Sequence, residues 1–504
     1  MEDLRKKSFS GIIWSYVNKF GTQVITIVPA MILARLIPPS EYGLLAMTAV
    51  FTGVAYQLAD GGFGNALVQK KDADHLDFCS VFYFNIGICG FVYAIFWFIA
   101  PLIAQFFDEL RLINIVRIST LSLIFGAVGQ IHGIIFKKEI EYRKPAIRNI
   151  FVQLFSAIIA VVLAFAGYGV WALVVQGLSQ TLLNSIVNWM ISTWRPTLCF
   201  SFIRLRSLFG FGSKLMVESI ISYLFGKGYD IVIGKFYSPA SLAYYNRGSS
   251  TADLFSGTFF GVFSGVTFPV FVKMQDDNER LLFNIRRFMS VTTLVLFSVM
   301  LTVLVLGEPL FRMMYSSKWD ASIPLFQLIC ISTLTLPLIS ICESILWAKG
   351  ESGKYLFISI LRKVFVVVTI LLTWHMGIEY MIAGQILCKV LELVVLTYCT
   401  NYIIGYGFFD VINDIWKNIV VAICVVLPVF LFDSFVSSLC IEFLCSELFC
   451  SFLRLICGGM IAVTAFLVIN KFWGFGSYRE LIQFLSDAIG EKKILKWLSP
   501  KDMR

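Results

Sequence analysis

FGFGSKLMVESIISYLFGKGYDIVIGKFYSPASLAYYNRGSSTADLF, residues 209–255, decides the fold. Two long apolar runs meet at a Ser238-Pro239 turn, and each is long enough to cross a bilayer as a helix. The same stretch carries Glu218, Lys227, Asp230, Arg247 and Asp253. A charge at the bilayer centre costs about 2.5–3.5 kcal/mol on insertion scales, so these five point to a partner or a wet cavity rather than to lipid.

The rest of the chain extends this reading. Of its 504 residues, 58% are hydrophobic and only 14% charged, with a mean hydropathy of +0.81. A soluble domain carries roughly 25% charged residues. Apolar runs recur near 12–34, 43–69, 78–104, 112–136, 147–167, 170–192, 211–235, 240–271, 285–307, 322–347, 355–375, 378–403, 416–433 and 450–470. The fold class is therefore an all-α polytopic membrane protein of about fourteen transmembrane helices. Barrel strands are shorter and alternate in polarity, which excludes a β-barrel. MEDLRKKSFSG lacks the features of a cleavable signal, so the first run is expected to stay as a span.

The net charge of +9 sets orientation and gives no sign of nucleic-acid binding. Thirty of the 41 Lys and Arg fall before the first span, in alternate loops and in the tail, against five in the opposite loops. By the positive-inside rule both termini are cytoplasmic. Among the loop bases are Arg148 and Arg362; Arg454, in the last span, reads as snorkelling to an interface.

An internal repeat organises the spans. ILARLIPPSEYGLL (32–45) aligns with VIGKFYSPASLAYY (232–245) at an offset of 200, and APLIAQFF (100–107) with EPLFRMMY (308–315) at 208. The Gly169 turn aligns with Gly377 at the same offset of 208. Six spans per copy make the copies parallel, as in some transporters. The expected domains are a six-helix lobe over 1–200, a second over 201–408, two further helices over 409–470, and a cytoplasmic tail over 471–504 read as an amphipathic helix on the membrane face.

No Walker A sequence, no HExxH and no credible Ser, His and Asp set is present, so nothing nominates a catalytic residue. Twelve cysteines show no CxxC pair, and His75, His132 and His375 stand far apart, which gives no support for a metal. Cys440, Cys445 and Cys450 flank a short loop placed outside, where a disulfide is an open alternative. The chemistry is left to intramembrane charges. Lys19, Arg117, Lys227 and Arg247 suit an anionic substrate, since arginine forks match phosphate oxygens and lysine supplies a point charge. Asp60, Glu218 and Asp230 either serve a coupling cation or balance charge. Lys389 and Glu392 share a face at i,i+3, where an ion pair and a ligand role stand equal.

ILARLIPPSEYGLLAM (32–47), DGGFGNALVQK (60–70), GYGVWALVVQ (167–176), WRPTLCFSF (194–202) and YDIVIGKFYSPASLAYYNRG (229–248) carry a family likeness. Through them the chain resembles the multidrug/oligosaccharidyl-lipid/polysaccharide exporter superfamily. Within it, it is similar to the polysaccharide-transport branch of Wzx-type flippases and colanic-acid and teichuronic-acid exporters. The resemblance implies two six-helix lobes plus two helices. It also implies a transporter, not an enzyme, that turns a polyprenyl-pyrophosphate-linked oligosaccharide across the bacterial inner membrane by alternating access. Asp60, Asp230 and Arg247 fall on motif positions; the glycine of YYNRG replaces a commoner alanine. No cofactor is expected, and Na+ and H+ are the candidate coupling ions. Membrane lipid and other polysaccharide-assembly membrane proteins are the further partners. Two alternatives stay open: a membrane polymerase or ligase of the same pathway, and a cation-coupled multidrug exporter.

Overall fold

The computed structural model describes residues 21–23, 25–442, 447–473 and 476–489, and within them the side chains of all but 65, 211, 215, 258–266, 439–442 and 484–489. Every regular element among the described residues is helical. Eleven helices there are long and apolar enough to span a membrane, or twelve if the bent pair 202–210 and 212–226 is one span. The protein is a multi-pass membrane protein.

The chain forms two compact units, Met1–Ala243 and Tyr244–Arg504. The first holds α1 (Gly21–Leu36), α2 (Pro39–Asp60), α3 (Phe63–Gln69), α4 (His75–Phe107), α5 (Leu112–Ser119), α6 (Leu121–Lys138), α7 (Arg143–Phe165), α8 (Val170–Ile191), α9 (Phe202–Gly226) and α10 (Gly228–Phe236). Pro39 opens α2 at N1, where its missing N–H costs nothing. Gly43 then packs so closely that a Cβ there would lie 1.8 Å from the Pro239 carbonyl oxygen. The two proline turns that the alignment matched thus pack against each other.

The expected single span over 43–69 is broken. Gly61 (φ +56°) and Gly62 (φ +71°) take left-handed backbone that end α2 and start α3 afresh. A Cβ on Gly62 would meet the Gly212 carbonyl oxygen at 2.3 Å, so glycine serves conformation and approach together. The span expected over 211–235 is likewise interrupted, at Lys227 between α9 and α10.

Small residues let α6 and α8 approach, as membrane helices do in place of a hydrophobic drive. A Cβ on Gly129 would fall 2.5 Å from Ser185 Oγ. Polar side chains of α8 then bond α6 carbonyls: Asn188 Nδ2 donates to Gly129 O at 3.0 Å, Trp189 Nε1 to Val128 O at 2.9 Å, and Ser185 to Phe125 O. This fixes the rotation of α8 and which of its residues face inward.

The second unit holds most of α11 (Pro239–Lys273), then α12 (Asn278–Val305), α13 (Gly307–Tyr315), α14 (Ser322–Thr333), α15 (Leu336–Ala348), α16 (Ser352–Thr373), α17 (Ile378–Ile404), α18 (Phe408–Glu442), α19 (Glu447–Trp473) and α20 (Gly476–Ile489). Gly377, at φ +125°, caps α17 as Gly169, at φ +54°, caps α8. α20 falls in the expected amphipathic tail. Its Tyr478 and Ile482 are buried against Leu294, Val421 and Val425, so these two side chains pack on protein. Cys450 is disulfide-bonded; Cys440 and Cys445 lie outside the described side chains.

Candidate functional site

Arg454 and Arg362, inside the second unit, are paired with acids. Arg454 does not snorkel, because acids stand beside it: it is buried, with Asp433 at 2.8 Å and Glu308 at 3.1 Å. Arg362, counted above with the loop bases, lies well inside α16 and reaches Glu392 at 2.9 Å and Glu343 at 3.3 Å. Glu392, the i,i+3 neighbour of Lys389, is thus engaged by an arginine on another helix.

The first unit is different. A cavity of about 450 Å³ opens among α2, α4, α6, α7 and α8. Asp60 and Arg148 both line it, with Tyr56, Gln57, Gln130, Thr181, Asn184, Ser185 and Asn188. Asp60 is the last residue of α2, and the Gly61–Gly62 break leaves it at a helix end facing the cavity. Its Oδ1 accepts from Gln130 Nε2 at 2.5 Å, and Gln130 Oε1 accepts from Asn85 Nδ2 at 3.2 Å. Arg148, one turn into α7, donates from Nε and Nη2 to Asn149 Oδ1 at 3.1 and 2.7 Å and from Nη1 to Asn188 Oδ1. Neither Asp60 nor Arg148 has an oppositely charged side chain within 4.0 Å among the described residues.

A guanidinium held by two amide oxygens keeps its full charge. Leaving it in a partly dry site costs several kcal/mol that no carboxylate among the described residues offsets. Such a group is prepared for an anion that arrives from outside, and phosphate suits its fork. The amides of Gln57, Gln130, Asn184 and Asn188 and the hydroxyls of Tyr56, Thr181 and Ser185 supply both donors and acceptors for hydroxylated groups. Asn184 Oδ1 is buried without a hydrogen-bond partner in the structure.

The residues singled out from the sequence are dispersed. Of the seven, Asp60 lines this cavity. Arg117, on α5, donates from Nε to Trp97 O at 3.2 Å with its guanidinium 4.6 Å from the Trp97 ring centre, and is not among the lining residues. Lys227 sits at the α9–α10 joint, 3.4 Å from the buried Asp230. Glu218 is exposed on α9 and accepts from Ser222 Oγ at 2.6 Å. Arg247, in the second unit, stands 4.8 Å from the ring centres of both Tyr315 and Trp319. Lys19 lies outside the described residues. The sequence reading missed Arg148, which it took for a loop base. The signal was present in α8, where Thr181, Asn184, Ser185 and Asn188 recur at i, i+3, i+4 and i+7.

A family model described as polysaccharide biosynthesis protein matches residues 32–324, more than half of the chain. The chain belongs to this family. Within its reach are relatives from several bacteria. The lipopolysaccharide biosynthesis protein WzxC of Escherichia coli (strain K12) is 27% identical over 356 residues, 69% of this chain and 71% of the relative. The succinoglycan biosynthesis transport protein ExoT of Rhizobium meliloti (strain 1021) is 25% identical, covering 70% and 71%. The teichuronic acid biosynthesis protein TuaB of Bacillus subtilis (strain 168) is 23% identical, covering 70% and 73%. Among solved structures, the lipid II flippase MurJ in an inward closed conformation superposes with a TM-score of 0.70 at 14% identity, covering 94% of this chain and all of that one. An inward-facing multidrug transporter of the MATE family gives 0.61 at 14% identity, covering 78% and 98%. At such identities the two structures establish a shared fold.

Proposed function

We propose that this member of the polysaccharide biosynthesis protein family is a flippase. It moves a polyprenyl-pyrophosphate-linked oligosaccharide, a surface-polysaccharide repeat unit, across the bacterial inner membrane by alternating access. The observation that carries the reading is Arg148: a charged fork in a polar cavity of a membrane protein, with no carboxylate within 4.0 Å among the described residues and facing a wall of amides and hydroxyls. The guanidinium takes the pyrophosphate, and the amide wall takes sugar hydroxyls. The cavity volume falls within the range of about 300–1,000 Å³ usual for small-ligand sites.

The relatives' printed names support a transporter over a polymerase or ligase, one being a biosynthesis transport protein and one structural neighbour a flippase. The full architecture proposed is fourteen spans in two six-helix lobes, 1–200 and 201–408, with two further helices and both termini in the cytoplasm. Asp60, a cavity-lining carboxyl with no ion-pair partner among the described residues, is the group through which a Na+ or H+ gradient acts. Lys19, Arg117, Lys227 and Arg247 each serve to attract acidic sugars, and Glu218 and Asp230 balance charge.

The test is made in cells whose own exporter is deleted. Wild-type protein restores surface polysaccharide and clears the lipid-linked unit from the inner leaflet, while Arg148→Ala, present at equal level, leaves most of it there. Resistance to organic cations with no effect on polysaccharide would instead place the chain with multidrug exporters.

A further inference from the structure

A second cluster in the first unit lies apart from the cavity. His75 opens α4 and Cys79 follows at i,i+4 on the same face. The linker 192–201 then returns over that turn and brings Thr197 and Cys199 alongside. His75 Nε2, Cys79 Sγ and Cys199 Sγ all lie within 4.8 Å of one another, with 3.3 Å between the first two. Thr197 Oγ1 lies 3.0 Å from His75 Nε2, 3.7 Å from Cys79 Sγ and 3.1 Å from Cys199 Sγ. A tetrahedral ion with metal–nitrogen and metal–sulfur bonds of about 2.0 and 2.3 Å sets its ligand atoms about 3.5 Å apart. Four of the six separations among these atoms, 3.0–3.7 Å, match that spacing, and the other two are within 4.8 Å.

We propose that His75, Cys79 and Cys199 bind a thiophilic d10 metal ion of the Zn2+ or Cu+ kind, with the fourth vertex held by Thr197 or a water. Two thiolates and an imidazole select such ions over Mg2+ or Ca2+, which take oxygen ligands. For Zn2+ the two thiolates cancel the 2+ charge, so the ion adds none to a region where Lys70 and Arg204 already balance Asp74 and Asp77. Cys79 is buried, Cys199 half-buried and His75 exposed, which gives the ion a route from solvent.

Trp194 makes the site legible. Its indole N–H, which only donates, is 3.1 Å from His75 Nδ1 and so places the imidazole proton on Nε2 when no metal is bound. Ligation at Nε2 sends that proton to Nδ1 and breaks the indole hydrogen bond. Trp194 also packs edge-on against Phe82 and His132, with ring centres 5.9 and 5.5 Å apart. Metal binding thus clips the linker to α4 and is reported by one tryptophan.

The experiment titrates the reduced, metal-free, full-length protein in detergent with Co2+. One equivalent gives thiolate-to-cobalt charge-transfer absorption and the visible bands of a tetrahedral site, and Zn2+ abolishes both. Cys79→Ser and Cys199→Ser each weaken binding at least tenfold, whereas Cys457→Ser, at a thiol remote from the cluster, leaves it unchanged. In the wild type, Zn2+ slows alkylation of Cys199 relative to Cys457 by mass spectrometry, a reading that needs no variant to fold. Trp194→Phe removes the fluorescence change on binding but keeps the cobalt spectrum. Absence of a thiolate–cobalt band with all thiols reduced, an equal band in the Cys79→Ser/Cys199→Ser double variant, or unprotected Cys199 would each overturn the proposal.

Discussion

Replacing Arg148 by alanine separates a transport residue from a structural one. The guanidinium donates only to Asn149 and Asn188, with no carboxylate within 4.0 Å among the described residues. A hydrogen bond to a charged group contributes about 1.5–3 kcal/mol. A bidentate hold on a phosphate involves two such bonds, and if half of that is expressed in transport the loss is about 1.5–3 kcal/mol. At about 1.4 kcal/mol per decade, flux at low substrate falls roughly 10- to 150-fold. Stability behaves differently. Alanine leaves two amide oxygens without their donor, which costs about 1–3 kcal/mol each. It also removes an unpaired charge whose burial costs several kcal/mol. The opposed terms leave the thermal transition nearly where it was. Arg148→Lys keeps the charge but not the fork, and falls between the two in transport. The assay follows lipid-linked oligosaccharide reaching the outer leaflet, beside the unfolding midpoint of each purified variant. Wild-type flux in Arg148→Ala, or a fall in flux matched by loss of folded protein, would refute the reasoning.

Further outcomes follow from the same contacts. Asp60→Asn keeps the side-chain shape and a hydrogen bond to Gln130 but not the charge, so flux persists and loses its response to a Na+ or H+ gradient; a response equal to wild type would remove Asp60 from coupling. Arg454→Met leaves the buried Asp433 without its arginine, while Glu308 keeps Arg312 at 2.9 Å, and destabilises by about 3–5 kcal/mol, read from the thermal midpoint, with Asp433→Asn partly restoring it. Gly43→Ala sets a Cβ 1.8 Å from the Pro239 carbonyl, and backbone must move, costing at least about 1–3 kcal/mol and the yield of folded protein. Asp74 caps α4, and the Asp77 backbone N–H holds its carboxyl below the ordinary value of 3.8. A depressed folded value means that this capping is fully present above the ordinary value and is lost as pH falls below it. Asp74→Ala therefore lowers the midpoint at neutral pH and flattens its acid dependence below about pH 4.

The spans and turns were legible because hydropathy and proline chemistry are local. IPPSEYG and YSPAS announce helix starts, and both occur where the alignment of 32–45 with 232–245 places them. Breaks within spans were harder to read. Gly61 and Gly62 fall inside the single span expected over 43–69 until their left-handed backbone is seen, and nothing local marks Lys227 as a joint. Charges were harder still, because their meaning depends on partners distant in sequence. Arg454 reads as snorkelling only while Asp433, 21 residues earlier, and Glu308, 146 residues earlier, are unseen. Arg148 was assigned to a loop because it falls within a basic run, although Asn149 and the polar stripe of α8 mark the faces it joins. Cys199 stands 120 residues from Cys79, beyond any spacing rule.

The central claim is that this chain turns a lipid-linked oligosaccharide over, with Arg148 as its anion fork. The most direct measurement reconstitutes purified protein in vesicles carrying a short-chain polyprenyl-pyrophosphate oligosaccharide on one leaflet and follows its exposure on the other. The account expects protein-dependent exposure that free pyrophosphate-linked oligosaccharide inhibits in the wild type and inhibits far less in Arg148→Ala. Exposure equal to protein-free vesicles, with the protein shown to be folded and the gradient intact, would contradict it.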